Sequence, residues 1–426
     1  MNGLKGPTIL VHRHLHVVGT LYPAVGLFHF HMDSLFLKLD TYKIINMKTH
    51  RLLVPALLFV LSFAVHGQAV EKFSRNQAII MESTILNETR QMSIYLPDDY
   101  EYSEAKYPVL YLLDGGTHLQ HASAAADYLS GGGIIPDIIV VAIHNIDRSR
   151  DFSPVHVEAV PTSGGAEKFL GFLSEELVPF MDESYRTAGF NILLGHSFGG
   201  TFIGYTLLAE PKLFDAYLAV SPYLMFADNL VVNKASEKLK PFEETKYFYM
   251  TVGNEERYFE TLEEYANIME EKAGESVEFK YVKMPEENHG TTPYLTVFSG
   301  LRFIFAGWQL PLEMQQADLE TIDEHYKKVS EKYGIEVTTP ELIINALGYR
   351  YLQAGDNENA ISTFKTNVKR YPGSANVYDS LGEAYETKGE AEQAAKNYQK
   401  AIKLGQKLGD PNLPVYKTNL ERVSEQ

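Results

Sequence analysis

Three residues of this chain could together activate a hydroxyl group. Ser197 sits in the pentapeptide Gly195-His196-Ser197-Phe198-Gly199. A serine hydroxyl is a poor nucleophile near neutral pH, so it needs a base within hydrogen-bond reach, itself oriented by a carboxylate. Two histidines follow Ser197, His289 and His325. His325 falls in the helical pattern Ile322-Asp323-Glu324-His325-Tyr326 and reads as a solvated helix residue. His289 lies in Pro285-Glu286-Glu287-Asn288-His289-Gly290-Thr291-Thr292-Pro293, a loop between a predicted strand and a predicted helix. His289 is therefore the expected base. The chemistry such a set performs is attack on an acyl carbonyl.

The setting of Ser197 supports this reading. A strand-like run, Phe190-Asn191-Ile192-Leu193-Leu194, precedes the pentapeptide, and a helical pattern from Gly200 to Glu210 follows it. Gly-x-Ser-x-Gly at a strand-to-helix turn is the nucleophile elbow of an α/β-hydrolase, whose chain order is serine, acid, histidine. The glycines make room where strand and helix pass closely. The acid is expected after the strand Lys246–Val252, in Gly253-Asn254-Glu255-Glu256-Arg257. Three residues after the glycine selects Glu256, with Glu255 the runner-up; a serine–histidine dyad without an effective acid is the alternative. A tetrahedral intermediate also needs two amide donors. One is the N–H of Phe198, and the other belongs to the loop Asp114-Gly115-Gly116-Thr117-His118.

The elements that must position these residues alternate. Ile79–Leu86 and Gln91–Leu96 read as antiparallel strands, and Tyr107–Leu113 and Asp137–Ile143 as strands buried on both faces. Ala166–Tyr185 reads as a helix, Ala216–Val220 as a strand, Leu262–Ala273 as a helix, Val277–Val282 as a strand and Tyr294–Trp308 as the closing helix. That pattern is an α/β domain over residues 70–312. From residue 315 to 426 the chain reads as all-α. There Ala346-Leu347-Gly348 with Tyr351 recurs as Ser380-Leu381-Gly382 with Tyr385, a spacing of 34 residues kept by Ala360 with Ala394 and Phe364 with Tyr398. These residues resemble the tetratricopeptide repeat, with Pro372 closing the first copy. Asn367 stands where that repeat prefers alanine, and Gln406 where it prefers proline. Flanking helices, Leu319–Tyr333 and Pro414–Ser424, are expected to complete the stack.

Composition sets the outer bounds. The formal net charge is −17, which argues against nucleic acid or an anionic membrane as partner. The absence of cysteine excludes thiol catalysis, disulfides, thiolate metal sites and a lipoprotein anchor. Met47-Lys48-Thr49-His50-Arg51 followed by the apolar run Leu52–Ala64 reads as a secretory signal over 47–69, too short to span a bilayer. Residues 1–46 hold five of the fourteen histidines without further ligands, and read as a start assigned too far upstream rather than a metal tract. The expected location is the periplasm or outside the cell. No metal and no organic cofactor is expected.

Tyr111-Leu112-Leu113-Asp114-Gly115, Asn145-Ile146-Asp147-Arg148-Ser149-Arg150-Asp151-Phe152-Ser153-Pro154, Gly195–Gly200 and Asn288-His289 together resemble the Putative esterase family, which includes esterase D and the enterochelin esterase-like hydrolases. The resemblance covers roughly Ala78 to Leu310. It implies an α/β-hydrolase acting on carboxylic esters, with Ser197 as nucleophile, His289 as base and the Gly116 N–H as second oxyanion donor. It also places Arg148 and Arg150 beside the site, to meet an anionic or catechol-bearing substrate; pairing of Arg150 with Asp151 to hold the loop is the alternative. Relatives carry an aromatic pair after the Ser-Pro of the next strand, where this chain has Ser221-Pro222-Tyr223-Leu224-Met225. Tyr223 is then a substrate contact in a wall that is otherwise more aliphatic.

The expected function is a secreted serine carboxylesterase taking a small-molecule ester. Acyl transfer through the same acyl-enzyme is an alternative reading. So is a non-catalytic binding or scaffold protein whose repeats meet a protein partner or a second copy.

Overall fold

The computed structural model describes residues 75–101 and 103–425. The segments 1–46 and 47–69 lie outside the described residues, and so do the expectations placed on them.

The chain enters through an antiparallel pair, β1 (Asn76–Ser83) and β2 (Glu88–Tyr95), turned at Asn87 with a φ of 52°. Then follow β3 (Tyr107–Leu112), α1 (Gly115–Gly131), β4 (Ile139–Ile143) and α2 (Arg148–Phe152). The predicted helix 166–185 is α3 (Ala166–Gly171), a π-helical turn (Phe172–Leu177) and α4 (Val178–Ser184). After it come β5 (Thr187–His196), α5 (Phe198–Ala209), β6 (Ala216–Val220), α6 (Phe226–Lys238), β7 (Lys246–Val252), α7 (Glu256–Ala273), β8 (Val277–Lys283) and α8 (Thr292–Ile304).

One eight-stranded sheet results, in the order β1-β2-β4-β3-β5-β6-β7-β8. It is parallel from β4 through β8, with β2 antiparallel to β4. Every residue of β3, β4, β6 and β7 is buried, as apolar strands covered by helices on both faces must be. Successive strand residues feed opposite cores. Tyr111, Leu193, Tyr217 and Phe248 pack with Phe202 and Tyr265 on one face. Leu110, Leu194, Leu218 and Tyr249 pack with Val297 and Leu301 on the other.

The helical tail begins with α9 (Leu319–Tyr333), capped by Asp318, whose carboxylate accepts from the Thr321 N–H at 2.9 Å. This helix does not simply extend the repeat stack, as the sequence suggested. Ile322, Tyr326, Val329 and Tyr333 join the second core of the sheet, with Phe190, Tyr247, Phe305 and Trp308. The Tyr333 hydroxyl donates to the carbonyls of Ile304 and Ala306, both at 3.0 Å. This core runs past the composition shift near residue 315, through α9 and on to Leu347 of the next helix.

The repeats proper are α10 (Glu341–Gln353), α11 (Asn357–Arg370), α12 (Ala375–Lys388) and α13 (Ala391–Leu408), followed by α14 (Leu413–Ser424). A Cβ at Gly348 would lie 2.5 Å from the Phe364 ring, and one at Gly382 2.7 Å from the Tyr398 ring. The glycine–aromatic pairs of the 34-residue spacing are thus direct helix–helix contacts. Asn367, the departure from the repeat pattern, is buried and donates to the Glu341 carbonyl at 3.2 Å. On the far side α14 closes the stack: Tyr416 packs with Ala401, and Arg422 grips Glu386 at 2.7 and 2.8 Å.

Candidate active site

Ser197 occupies the turn between β5 and α5 with φ 57° and ψ −113°, a conformation that a non-glycine residue holds only when its surroundings enforce it. Three backbone bonds do so. The Ser197 N–H donates to Val220 O at 2.8 Å, and its carbonyl accepts from the N–H groups of Gly200 and Tyr223, each at 2.9 Å. A Cβ at Gly195 would lie 2.5 Å from the Gly199 carbonyl carbon, so the elbow closes only around glycine.

His289 lies on the loop before α8, its ring centroid 4.4 Å from that of His196, the residue next to Ser197. Its Nδ1 is 2.6 Å from Oε1 of Glu255. Donation from Nδ1–H to that carboxylate leaves Nε2 free to accept a proton. The glutamate is Glu255, not the first-choice Glu256. Glu255 precedes the first turn of α7 and points inward, its side chain only 9% exposed. Glu256 is the first residue of the helix and faces solvent. Counting from Gly253 failed because the helix begins one residue after the carboxylate rather than on it. The other oxygen of Glu255 accepts from the Ser221 hydroxyl at 2.6 Å. Ser221 is fully buried with a φ of 38°, and no sequence pattern singled it out.

The two expected amide donors stand at the starts of α5 and α1. Phe198 is the first residue of one helix, and Gly115 and Gly116 are the first two of the other. First-turn amides have no intrahelical acceptor, and both helix dipoles direct positive potential to this end of the sheet. Thr117 and His118 donate to Asp114 O at 2.8 and 3.3 Å. Gly115 is buried and Gly116 exposed.

Arg148 is not available to a substrate in the way expected of it. Its Nε and Nη2 clasp Asp114 at 2.7 and 3.0 Å, and Nη2 also donates to the His196 carbonyl at 2.9 Å. Asn145 adds a bond of 2.5 Å to the same aspartate, which holds a left-handed conformation (φ 55°) at the head of α1. One guanidinium thereby ties the loop carrying Gly116 to the strand end carrying Ser197. Arg150 is further committed. It pairs with both oxygens of Glu88 at 2.9 and 2.7 Å and with Asp151 at 2.8 Å, and Asp151 also holds buried Arg90 at 2.6 Å. Both arginines are structural ties; the loop-holding alternative for Arg150 is the one the structure shows.

Tyr223 does stand at the site, 37% exposed. Its ring meets Phe198 at 6.4 Å and Tyr258 at 6.1 Å, while Phe226 lies 5.0 Å from Phe198 and Tyr258 lies 6.0 Å from His289. Of these rings Phe198 and Tyr223 reach the surface, and Phe226 and Tyr258 are buried behind them. Leu224 is buried as well. Behind the site a row of imidazoles runs from His289 through His196 to His118 and His121, at 4.4, 5.5 and 5.2 Å between centroids. Burial, with His289 and His118 beside it, pushes His196 down to about 3. Burial and His121 push His118 down to about 4. Both are neutral at physiological pH. Among the described residues no cluster of histidine and carboxylate side chains is placed to hold a metal ion.

This sheet order, with a serine on the elbow after β5 and a Glu–His pair on the loops after β7 and β8, defines an α/β-hydrolase. Residues 83–289 match the Putative esterase family, and residues 375–406 match the tetratricopeptide repeat. The first match lies on the α/β-hydrolase domain and the second on helices α12 and α13 of the tail. It is 29% identical over 161 residues to the siderophore triacetylfusarinine C esterase of Aspergillus fumigatus, covering 35% of this chain and 54% of that protein. It is 30% identical over 151 residues to the ferri-bacillibactin esterase BesA of Bacillus subtilis, covering 30% and 52%. The chain thus spans about half the length of these curated relatives. The solved IroE-like serine hydrolase of Shewanella oneidensis superposes with a TM-score of 0.60 at 28% identity, over 68% of this chain and 98% of that one.

Proposed function

We propose that this protein is a serine carboxylesterase. The observation that carries the reading is the Ser221–Glu255–His289 chain of hydrogen bonds ending beside a strained Ser197. Ser197 Oγ attacks the ester carbonyl as His289 Nε2 takes its proton, and Glu255 stabilises the imidazolium that forms. The Phe198 and Gly116 amides receive the developing oxyanion. His289 then protonates the departing alcohol, and water releases the acid by the same steps in reverse.

The accessible rings of Phe198 and Tyr223 favour an ester bearing a flat ring or broad apolar group. One curated relative is named a siderophore triacetylfusarinine C esterase and the other a ferri-bacillibactin esterase, so siderophore esters stand first among candidates. The chain from about Val70 and its Ser197→Ala variant should be assayed on catecholate and hydroxamate siderophore esters, feruloyl esters, acetylated sugars and short acyl esters. Turnover by the wild type on at least one ester, abolished in the variant, is expected. Equal turnover by both proteins, or none on any ester, would sink the reading.

We further propose secretion, from the basic-then-apolar segment 47–69. Secreted material beginning near Val70 is the expected result, and a mature chain retaining His12 to His31 would refute it. The burial of α9 in the sheet's core supports a structural role for the helical tail over a detachable partner-binding module.

A further inference from the structure

His196 fills the variable position of the pentapeptide, where the serine elbow itself asks for no imidazole. Its ring is set by three neighbours. Its plane lies 40° from that of His289 at 4.4 Å, and the His118 ring meets it edge-on at 81° and 5.5 Å. Arg148 fixes its backbone through the carbonyl. The Nε2 atom is buried without a hydrogen-bond partner, so the ring is not there to make a polar bond through that nitrogen.

We propose that His196 is a positioning residue for His289: an uncharged aromatic plate that holds the base against Glu255 and favours its protonated form. The proposal rests on the reading of Ser197 and His289 as nucleophile and base. A neutral π-face attracts a cation placed over it. In the cycle above His289 is neutral at rest and becomes a cation as the tetrahedral intermediate forms, so the attraction is gained on the way to that state. The groups facing His289 are Glu255 from the loop after β7, Tyr258 from α7 and His196 from the end of β5. Those around His196 are His289, His118, Asp114 and Arg148. A charged ring at position 196 would repel the imidazolium; burial keeps it uncharged.

The test compares His196→Phe with His196→Leu, which fill similar space with and without an aromatic face, alongside Ser197→Ala. His196→Phe should keep kcat within about threefold of wild type and leave the acid limb of the kcat/KM profile in place. His196→Leu should lose on the order of tenfold in kcat at unchanged KM, with that limb moved to lower pH. A leucine variant equal to the phenylalanine variant, in rate and in pH limb, would overturn the proposal, because a space-filling role would then suffice. A phenylalanine variant as impaired as the leucine one would overturn it too. If Ser197→Ala keeps wild-type turnover, the esterase reading itself has failed, an outcome separate from either.

Discussion

Replacing Glu255 by glutamine separates charge from shape at the site. The amide can still accept from His289 through its oxygen, and the Ser221 hydroxyl can rotate to accept from its NH₂. What disappears is the negative charge beside the imidazolium. The bond of 2.6 Å from Nδ1 to Oε1 puts the two charge centres about 4 Å apart. At an effective dielectric of about 20, suited to a nearly buried carboxylate under a half-exposed ring, the attraction is ~4 kcal/mol. That corresponds to roughly a thousandfold in kcat. Glu256→Gln removes a charge that faces solvent on the first turn of α7, and should stay within about twofold. The assay is steady-state hydrolysis of a chromogenic ester by both variants, with thermal unfolding showing that each is folded. A Glu255→Gln enzyme within threefold of wild type, or a large loss in Glu256→Gln, would refute the assignment of the acid.

Three further outcomes follow from the same geometry. Arg148→Ala should lower kcat by about 10- to 100-fold with little change in KM, and Arg148→Lys should recover little of it, because an ammonium cannot clasp Asp114 in a fork and reach the His196 carbonyl together; a raised KM at full kcat would instead make Arg148 a substrate contact. His118 and His196 are held neutral when folded, to about 4 and about 3, but titrate near 6.5 when unfolded, so the unfolded chain takes up protons first as pH falls below that value. Stability should drop by about 2 kcal/mol per histidine between pH 7.5 and 5, read as a falling urea midpoint, and His118→Asn should flatten that slope; an unchanged slope refutes the account. Tyr333→Ala should cost about 3–5 kcal/mol and lower the temperature at which esterase activity is lost, since its ring belongs to the sheet's core; a loss confined to the helical tail would contradict that.

The parts legible in the sequence were those governed by local patterning. The all-buried strands β3, β6 and β7 announce themselves as apolar runs, and Lys246–Val252 is the predicted strand to the residue. The glycine-framed serine is legible because its turn admits little else, and the 34-residue spacing because each glycine must admit one ring. What was missed depends on where side chains point after folding. Glu255 and Glu256 are neighbours of one chemical type, and only the start of α7 decides which turns inward. Arg148 and Arg150 look like exposed cations in the sequence, yet Asp114 and Glu88, from distant segments, have claimed them. Ser221 has no signature because its role is defined entirely by a carboxylate 34 positions away.

The same contrast explains the tail. Composition separates α9 from the α/β domain, because a helix with one apolar stripe reads alike whatever surface the stripe meets. Its partner is settled by complementarity: Phe190, Tyr247, Phe305 and Trp308 leave an aromatic surface on the sheet's second face that α8 alone does not cover, and the rings of Tyr326 and Tyr333 fill it. An α/β domain ended at residue 312 would expose that surface to water. The repeats are tied to α9 and to the segment before it: Arg370 of α11 reaches back to Asp323 of α9 in a fork of two 2.7 Å bonds, and Arg350 of α10 donates to the carbonyls of Gln315 and Ala317. α9 thus belongs to the sheet's core and is held by side chains of the repeats that follow it.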